Sequence, residues 1–236
     1  MGLQTSAQAR YAFVRRLVAD RLPVGSRLVE FGAAPGDQCV ALAEAGYRVT
    51  AVDLGLSSDA WADAPEGRMV DLFERHGVDY VEWDLERTPY PLAGAAYDGV
   101  IFTEVFEHLR DYPVRALEEA ARVLRPGGFL FFTTPNAGYL VNRVRLATGR
   151  SVYTALPDWI GGVPHARHAR EYLVGEIVEV LGVAGLRPVL VTGRHFHLAG
   201  GSPLKRAAKR GIDLLARVRP TLGPMVVAVA EKPPAS

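Results

Sequence analysis

The sequence predicts an α/β protein built on a doubly wound parallel sheet, and three observations predict it. Short apolar runs rich in β-formers alternate with helical stretches along the chain, the signature of strand–crossover–strand units. The first run, Arg27 to Phe31, passes through the small residues of VEFGAAPGD into a helix start, a place where backbone can approach a ligand. A second run, Arg48 to Val52, ends in Asp53, about 20 residues after the first glycine. A carboxylate at that position is suited to grip the ribose hydroxyls of a nucleoside cofactor.

Each element has a local reason. Ser6 to Leu22 is amphipathic, with Tyr11, Val14, Leu17 and Val18 on one face and Arg10, Arg15 and Arg16 mostly elsewhere; Pro23-Val24-Gly25 ends it. The strand at Arg27 to Phe31 is followed by a helix through Val40 to Ala43 for which Asp37 is the expected cap, and then by the strand ending at Asp53. The short connection makes these strands parallel neighbours with a right-handed crossover. Gly55 to Gly67, including Trp61, is small, polar and irregular; Met69 to His76 is helical, and Val78 to Trp83 is a third strand ending at Asp84-Leu85. Tyr97 to Thr103 is a fourth strand, followed directly by a helix over Glu104 to Leu109. A further helix at Val114 to Leu124 stops at Arg125-Pro126-Gly127-Gly128, before a fifth strand at Phe129 to Thr134.

From Pro135 to about Arg170 the rhythm breaks. Asn142 to Thr148 forms a short helix inside a segment long and irregular enough to be a lid or binding loop. A helix at Glu171 to Gly182, a sixth strand at Arg187 to Thr192, a basic amphipathic helix at Pro203 to Val218 and a last strand at Met225 to Ala230 follow; Lys232 to Ser236 reads as disordered. The reading is one domain over 1–236, with 136–170 as its lid. Ligands of such sheets bind beyond the carboxyl ends of the strands, so Gly32, Asp53, Asp84, Glu104 and Thr134 should converge on one cleft.

The bulk properties exclude little but agree. The 236 residues are 49% hydrophobic and 22% charged, enough for a real core in a soluble protein. A net charge of +1 does not call for nucleic acid or an acidic membrane. Cys39 is the one cysteine and falls inside the first crossover helix, where it reads as a small core residue. The N-terminal stretch carries Arg10, Arg15, Arg16 and Asp20, so it is neither a signal peptide nor a membrane span, and a cytoplasmic location is expected.

The motifs VEFGAAPGD, TAVDL, WDL, YDGVIFTEVFEHL and RVLRPGGFLFFTTPN together resemble the class I S-adenosylmethionine-dependent methyltransferases over Arg27 to Asn136. The resemblance implies a Rossmann-like seven-stranded sheet, its last strand antiparallel and supplied by Met225 to Ala230, with helices on both faces. It also implies roles. Gly32, Ala34 and Gly36 would line the methionine end of S-adenosylmethionine, Glu30 would support that loop or meet the amino group, and Asp53 would bind the ribose. Asp84 would meet the adenine amine with Leu85 beside it, and Thr103 would lie near the methionine portion. Ala34 departs from the family, where glycine is usual. A nicotinamide-dependent oxidoreductase shares the glycine turn and the acid; the Glu104 to His108 stretch and the RPGG turn argue against it.

The acceptor side has its own constellation. On a helix, Glu104, Glu107 and His108 stand at i, i+3 and i+4 and share a face, forming half of a divalent-metal site; HARHAREY offers His165 and His168 as a fourth ligand. The set resembles the metal-dependent small-RNA 3′-terminal ribose methyltransferases and some ubiquinone-pathway O-methyltransferases, and that resemblance selects His168. Mg²⁺, Mn²⁺ or Zn²⁺ there would activate a substrate hydroxyl. Metal-free members of the superfamily carry a similar stretch, and without a metal His108 or His168 is the candidate base.

The acceptor is a hydroxylated small molecule or a glycan on this reading. Arg143, Arg145, Arg150, Arg167 and Arg170, with Tyr153 and Trp159, suit a sugar or an anionic group, and TPNAGYLVNRVRLATGR is similar to methyltransferases of glycan and natural-product pathways. His195 and His197 flank Phe196 in a loop that reaches the cleft or caps a strand. Lys205, Arg206, Lys209 and Arg210 form a basic surface suited to nucleic acid or membrane, though nothing else in the chain points to RNA. Three functions stand: an O-methyltransferase, metal-assisted or not; a metal-free N- or C-methyltransferase; and a non-catalytic cofactor-binding protein. Nothing in the sequence fixes the oligomeric state.

Overall fold

The computed structural model describes residues 2–54, 68–153, 155–161, 168–198 and 201–234. The expectations for Trp61 and its loop, for His165 and Arg167, and for the last two residues lie outside the described residues.

Among the described residues there are seven strands: β1 Arg27–Phe31, β2 Arg48–Asp53, β3 Asp79–Glu82, β4 Tyr97–Thr103, β5 Leu124–Pro135, β6 Arg187–Arg194 and β7 Met225–Glu231. They form one sheet in the order β3-β2-β1-β4-β5-β7-β6, in which only β7 runs antiparallel to its neighbours. The expected Rossmann-like sheet with an antiparallel last strand is therefore present. The side-chain period of two sorts each strand between two cores. Val29, Phe31, Val100, Phe102, Leu130, Phe132, Val226 and Ala228 point to one face, against helices α4 (Val114–Val123) and α7 (Val174–Val183). Leu28, Ile101, Phe131, Val227 and Val229 point to the other, against α1 (Gly2–Ala19), α2 (Asp37–Glu44) and α3 (Arg68–His76).

Three local expectations change. Asp37 is the first residue of α2 and not its cap; Gly36 takes that place at φ 97°. A Cβ there would lie 2.9 Å from the Phe73 ring, so glycine is required both by the left-handed backbone and by close packing on α3. The helix expected over Glu104 to Leu109 is a single 3-10 turn, Phe106–His108. Glu104 stays in register with β5 through its N–H to Thr133 O (2.9 Å) and then turns at φ 59°, so no helical face is built from it. Finally, β5 begins directly after α4: Tyr97 pairs with Leu124 and Gly99 with Phe129, and Arg125 to Gly128 bulge between these pairs.

The remaining α-helices among the described residues are α5 (Leu140–Ala147), α6 (Leu156–Ile160) and α8 (Pro203–Val218). Packing fixes the site from below. Phe106 is fully buried and meets the rings of Phe102, Phe132 and Tyr172 at centroid distances of 6.1, 5.5 and 4.8 Å. It pins the 3-10 turn to the sheet.

Candidate active site

A cavity of about 530 Å³ opens at the carboxyl ends of the strands, a size that suits a nucleoside cofactor. Glu30, Gly32, Ala34, Asp53, Asp84, Leu85, Thr103, Glu104 and His108 all line it. Gly36 and Thr134, expected there, do not appear among its lining residues: Gly36 packs on Phe73, and the Thr134 hydroxyl donates to Glu107 Oε2 (3.0 Å) behind the cavity.

One side of the cavity is built mainly from groups close to strand ends. Gly32 at φ 74° turns the chain out of β1, and a Cβ on it would lie 2.2 Å from Val105 Cγ2. The turn is braced by Asp53, whose Oδ2 accepts the Ala34 N–H and whose Oδ1 accepts the Leu54 N–H, both at 2.7 Å. Asp84 Oδ1 accepts the Glu86 N–H (3.0 Å), holding the loop beside Leu85. Glu30 supports the loop: Gln38 Nε2 donates to its Oε1 (2.6 Å) and the Cys39 thiol to its Oε2 (2.9 Å). Burial pushes the Glu30 carboxyl up to about 8, against the pull of these two hydrogen bonds and Arg10, so at neutral pH it is mostly the neutral acid. Gln38 Oε1 is buried with no hydrogen-bond partner among the described residues, and turning that amide over brings an acceptor to the Glu30 proton. Burial raises the Cys39 thiol as well, which fits a core residue and not a nucleophile.

Arg10 was not legible as a site residue. It stands four residues before Val14 and eight before Val18, hence on the buried stripe of α1, and that spacing was the available signal. Its guanidinium lines the cavity, lies 3.7 Å from Glu104 Oε2 and sits over the Tyr11 ring. Val105, over Gly32, was missed too, because no sequence pattern predicts that approach.

The other side, around His108, is assembled from distant segments. Glu107 O accepts the N–H groups of Ala169 (2.7 Å) and Arg170 (3.2 Å), and Asn136 bridges to Tyr172. These bonds bring His168 over His108, with ring centroids 4.9 Å apart at 80°. One ligand-type atom from each of Glu107, His108 and His168 lies within 4.8 Å of the others. His168 Nδ1 is 2.9 Å from Glu171 Oε1, the carboxylate-to-imidazole contact that orients ligand or base histidines. Glu104 stands outside this group; its Oε1 accepts from the Thr133 hydroxyl (2.8 Å) and its Oε2 faces Arg10. Burial raises both Glu104 and Glu107; Arg10 works against it at Glu104, and the neighbouring Glu104 charge adds to it at Glu107. Two imidazoles and a carboxylate are a donor set that suits Zn²⁺ or another divalent transition metal. His195 and His197 lie outside the cavity lining, near α8, where burial lowers both imidazoles.

The chain resembles solved structures over nearly its whole length. A methyltransferase from Methanosarcina mazei aligns at TM-score 0.61, covering 93% of this chain and 98% of that one at 14% identity. A cyclase, SpnF, aligns at TM-score 0.63, covering 97% and 82% at 20% identity. At these identities the likeness shows the fold alone. The ubiquinone biosynthesis O-methyltransferase of Coxiella burnetii (strain RSA 331) is 26% identical over 175 residues, 73% of this chain and 68% of that protein. The protein of the same description from Saccharophagus degradans is 31% identical over 133 residues, 55% of this chain and 50% of its own length. A family described as "Methyltransferase domain" matches residues 4–191. Its match runs through the strands, the glycine turn and the 3-10 turn that build the cavity: the chain belongs to this family and is a class I S-adenosylmethionine-dependent methyltransferase.

Proposed function

We propose that the methyl group goes to a hydroxyl oxygen of a small-molecule acceptor, glycans included, and that Glu107, His108 and His168 hold a divalent metal at the acceptor side. The observation that carries this reading is the convergence of those three side chains beside the cavity, with His108 reaching both. The names of the Coxiella and Saccharophagus relatives support oxygen as the accepting atom.

In this reading Asp53 takes the ribose hydroxyls, Asp84 and Leu85 the adenine, and Gly32, Ala34 and Thr103 the methionine portion. Arg10 supplies a positive charge for the methionine carboxylate. A sulfonium needs little help to leave, so the protein's task is to align the acceptor and remove its proton. When bound, Mg²⁺, Mn²⁺ or Zn²⁺ supplies the Lewis acidity that makes an alcohol or phenol acidic near neutral pH. Glu171 orients His168, and Thr134 holds the Glu107 carboxylate. Residues 136–170 act as the acceptor lid, tied at their far end to Glu107 O.

The His168–Glu171 contact also favours a second reading, in which His168 itself takes the acceptor proton and no metal is used. One experiment separates the two. The protein is dialysed against a chelator and assayed with S-adenosylmethionine on hydroxylated aromatic and sugar acceptors, before and after Mg²⁺, Mn²⁺ or Zn²⁺ is restored. The metal reading expects activity to vanish and return. Full activity in the stripped protein assigns the proton to His168, and cofactor binding without turnover on any acceptor assigns a non-catalytic role.

A further inference from the structure

The connection between the antiparallel neighbours β6 and β7 carries a whole helix, although a few residues suffice to join such strands. That helix, α8, is amphipathic in the reverse sense. Leu204, Ala208, Gly211, Leu214, Leu215 and Val218 follow the three-and-four spacing of one stripe, yet this stripe faces away from the protein. Leu204 is 80% exposed, Leu214 60%, Leu215 54% and Val218 89%.

The helix is held by its other side. Asp213 is buried and accepts from Arg194 Nε (3.1 Å), from the His195 N–H (2.9 Å) and from Arg217 (2.8 Å). Ala216 is buried against Gly193 and Gly223, where a Cβ would approach it to 3.0 and 2.8 Å. A polar clamp and a small-residue seat thus fix the helix with its apolar face outward.

We propose that α8 is an interfacial helix that lays this stripe onto an anionic lipid bilayer. The charges of the helix are Lys205, Arg206, Lys209, Arg210 and Arg217, and its single acid is the buried Asp213. An apolar stripe flanked by cations matches an anionic headgroup layer over acyl chains. A second copy docking through the same stripe in a two-fold arrangement would bring these cations against each other, which favours the bilayer over self-association. Among the described residues no helix is long and apolar enough to cross a membrane, so the contact lies along the surface.

The test is co-sedimentation of the full chain with phosphatidylcholine vesicles, with and without phosphatidylglycerol. Binding is expected to the anionic vesicles, to weaken on neutral ones, and to fall as salt rises. Leu214→Glu with Leu215→Glu should weaken binding about 10-fold or more, as should Lys205→Glu with Arg210→Glu. Circular dichroism and S-adenosylhomocysteine binding identify variants that have kept the fold. Absence of vesicle binding by the wild type overturns the proposal, as does wild-type binding by the folded Leu214/Leu215 variant. A concentration-dependent dimer that Leu214→Glu abolishes in vesicle-free solution overturns it in favour of a second copy.

Discussion

The two sides of the cavity are made in different ways. On the side proposed for the cofactor Gly32, Asp53, Asp84 and Thr103 each sit at or just past the end of a parallel strand, so the sheet alone brings them together. Their bracing is short-range or passes between neighbouring strands, as in Asp53 to Ala34 and Asp84 to Glu86. On the side proposed for the acceptor His108 and His168 are sixty positions apart in sequence and meet because Glu107 O captures two N–H groups of the incoming chain. The first side is a property of the sheet, and the second depends on one tertiary docking event. Damage to the first should abolish cofactor binding; damage to the second should leave binding intact and remove turnover.

The largest effect is expected where the two sides touch. Gly32→Ala adds a Cβ at 2.2 Å from Val105, on a left-handed backbone. It should destabilise the protein by about 2–4 kcal/mol and abolish S-adenosylhomocysteine binding, read by thermal melting and calorimetry. A Gly32→Ala protein that binds normally would show that the turn and the 3-10 segment are not coupled.

Glu30 tests the foundation of the cofactor side through pH. Its folded carboxyl, at about 8, lies above its ordinary value of 4.5, so the folded state holds the proton more tightly. The contribution to stability is full below 4.5 and is lost as pH rises toward 8. The ligand-free wild type should lose stability on the order of 3 kcal/mol across that window, and Glu30→Gln should flatten this part of the profile. Parallel profiles for the two proteins would place the proton elsewhere.

Asp53→Ala should weaken S-adenosylhomocysteine binding about 30–100-fold, because it removes both the proposed ribose partner and the brace on Ala34. Unchanged affinity would separate Asp53 from the cofactor. His168→Ala sharpens the contrast from the other side: cofactor affinity should stay within about 2-fold while turnover drops about 10–100-fold. Equal losses of binding and turnover would mean that the two sides are one unit.

How much was legible follows the same division. The strands, their ends and the glycine turn are local patterns, and β4 and α8 appear with the bounds that their sequences predicted. The Glu104 to His108 stretch misled because its spacing is helical, while Thr133 holds the Glu104 backbone in the sheet register and the chain then turns sharply. Arg10 was hidden because an arginine among apolar residues looks like part of a polar face until the cavity gives it a partner in Glu104.

The sequence by itself determined the sheet, the place of the glycine turn after β1 and the acid at the end of β2. These rest on periodicity, glycine and strand ends, all of which act over a few residues. Only the tertiary structure decided that Glu104 leaves the Glu107–His108–His168 group, that Arg10 enters the cavity, and that α8 shows its apolar stripe to the outside. An amphipathic helix fixes the existence of two faces; which one turns inward depends on competing anchors. At α8 the Asp213 clamp and the glycine seat under Ala216 come from residues on other elements.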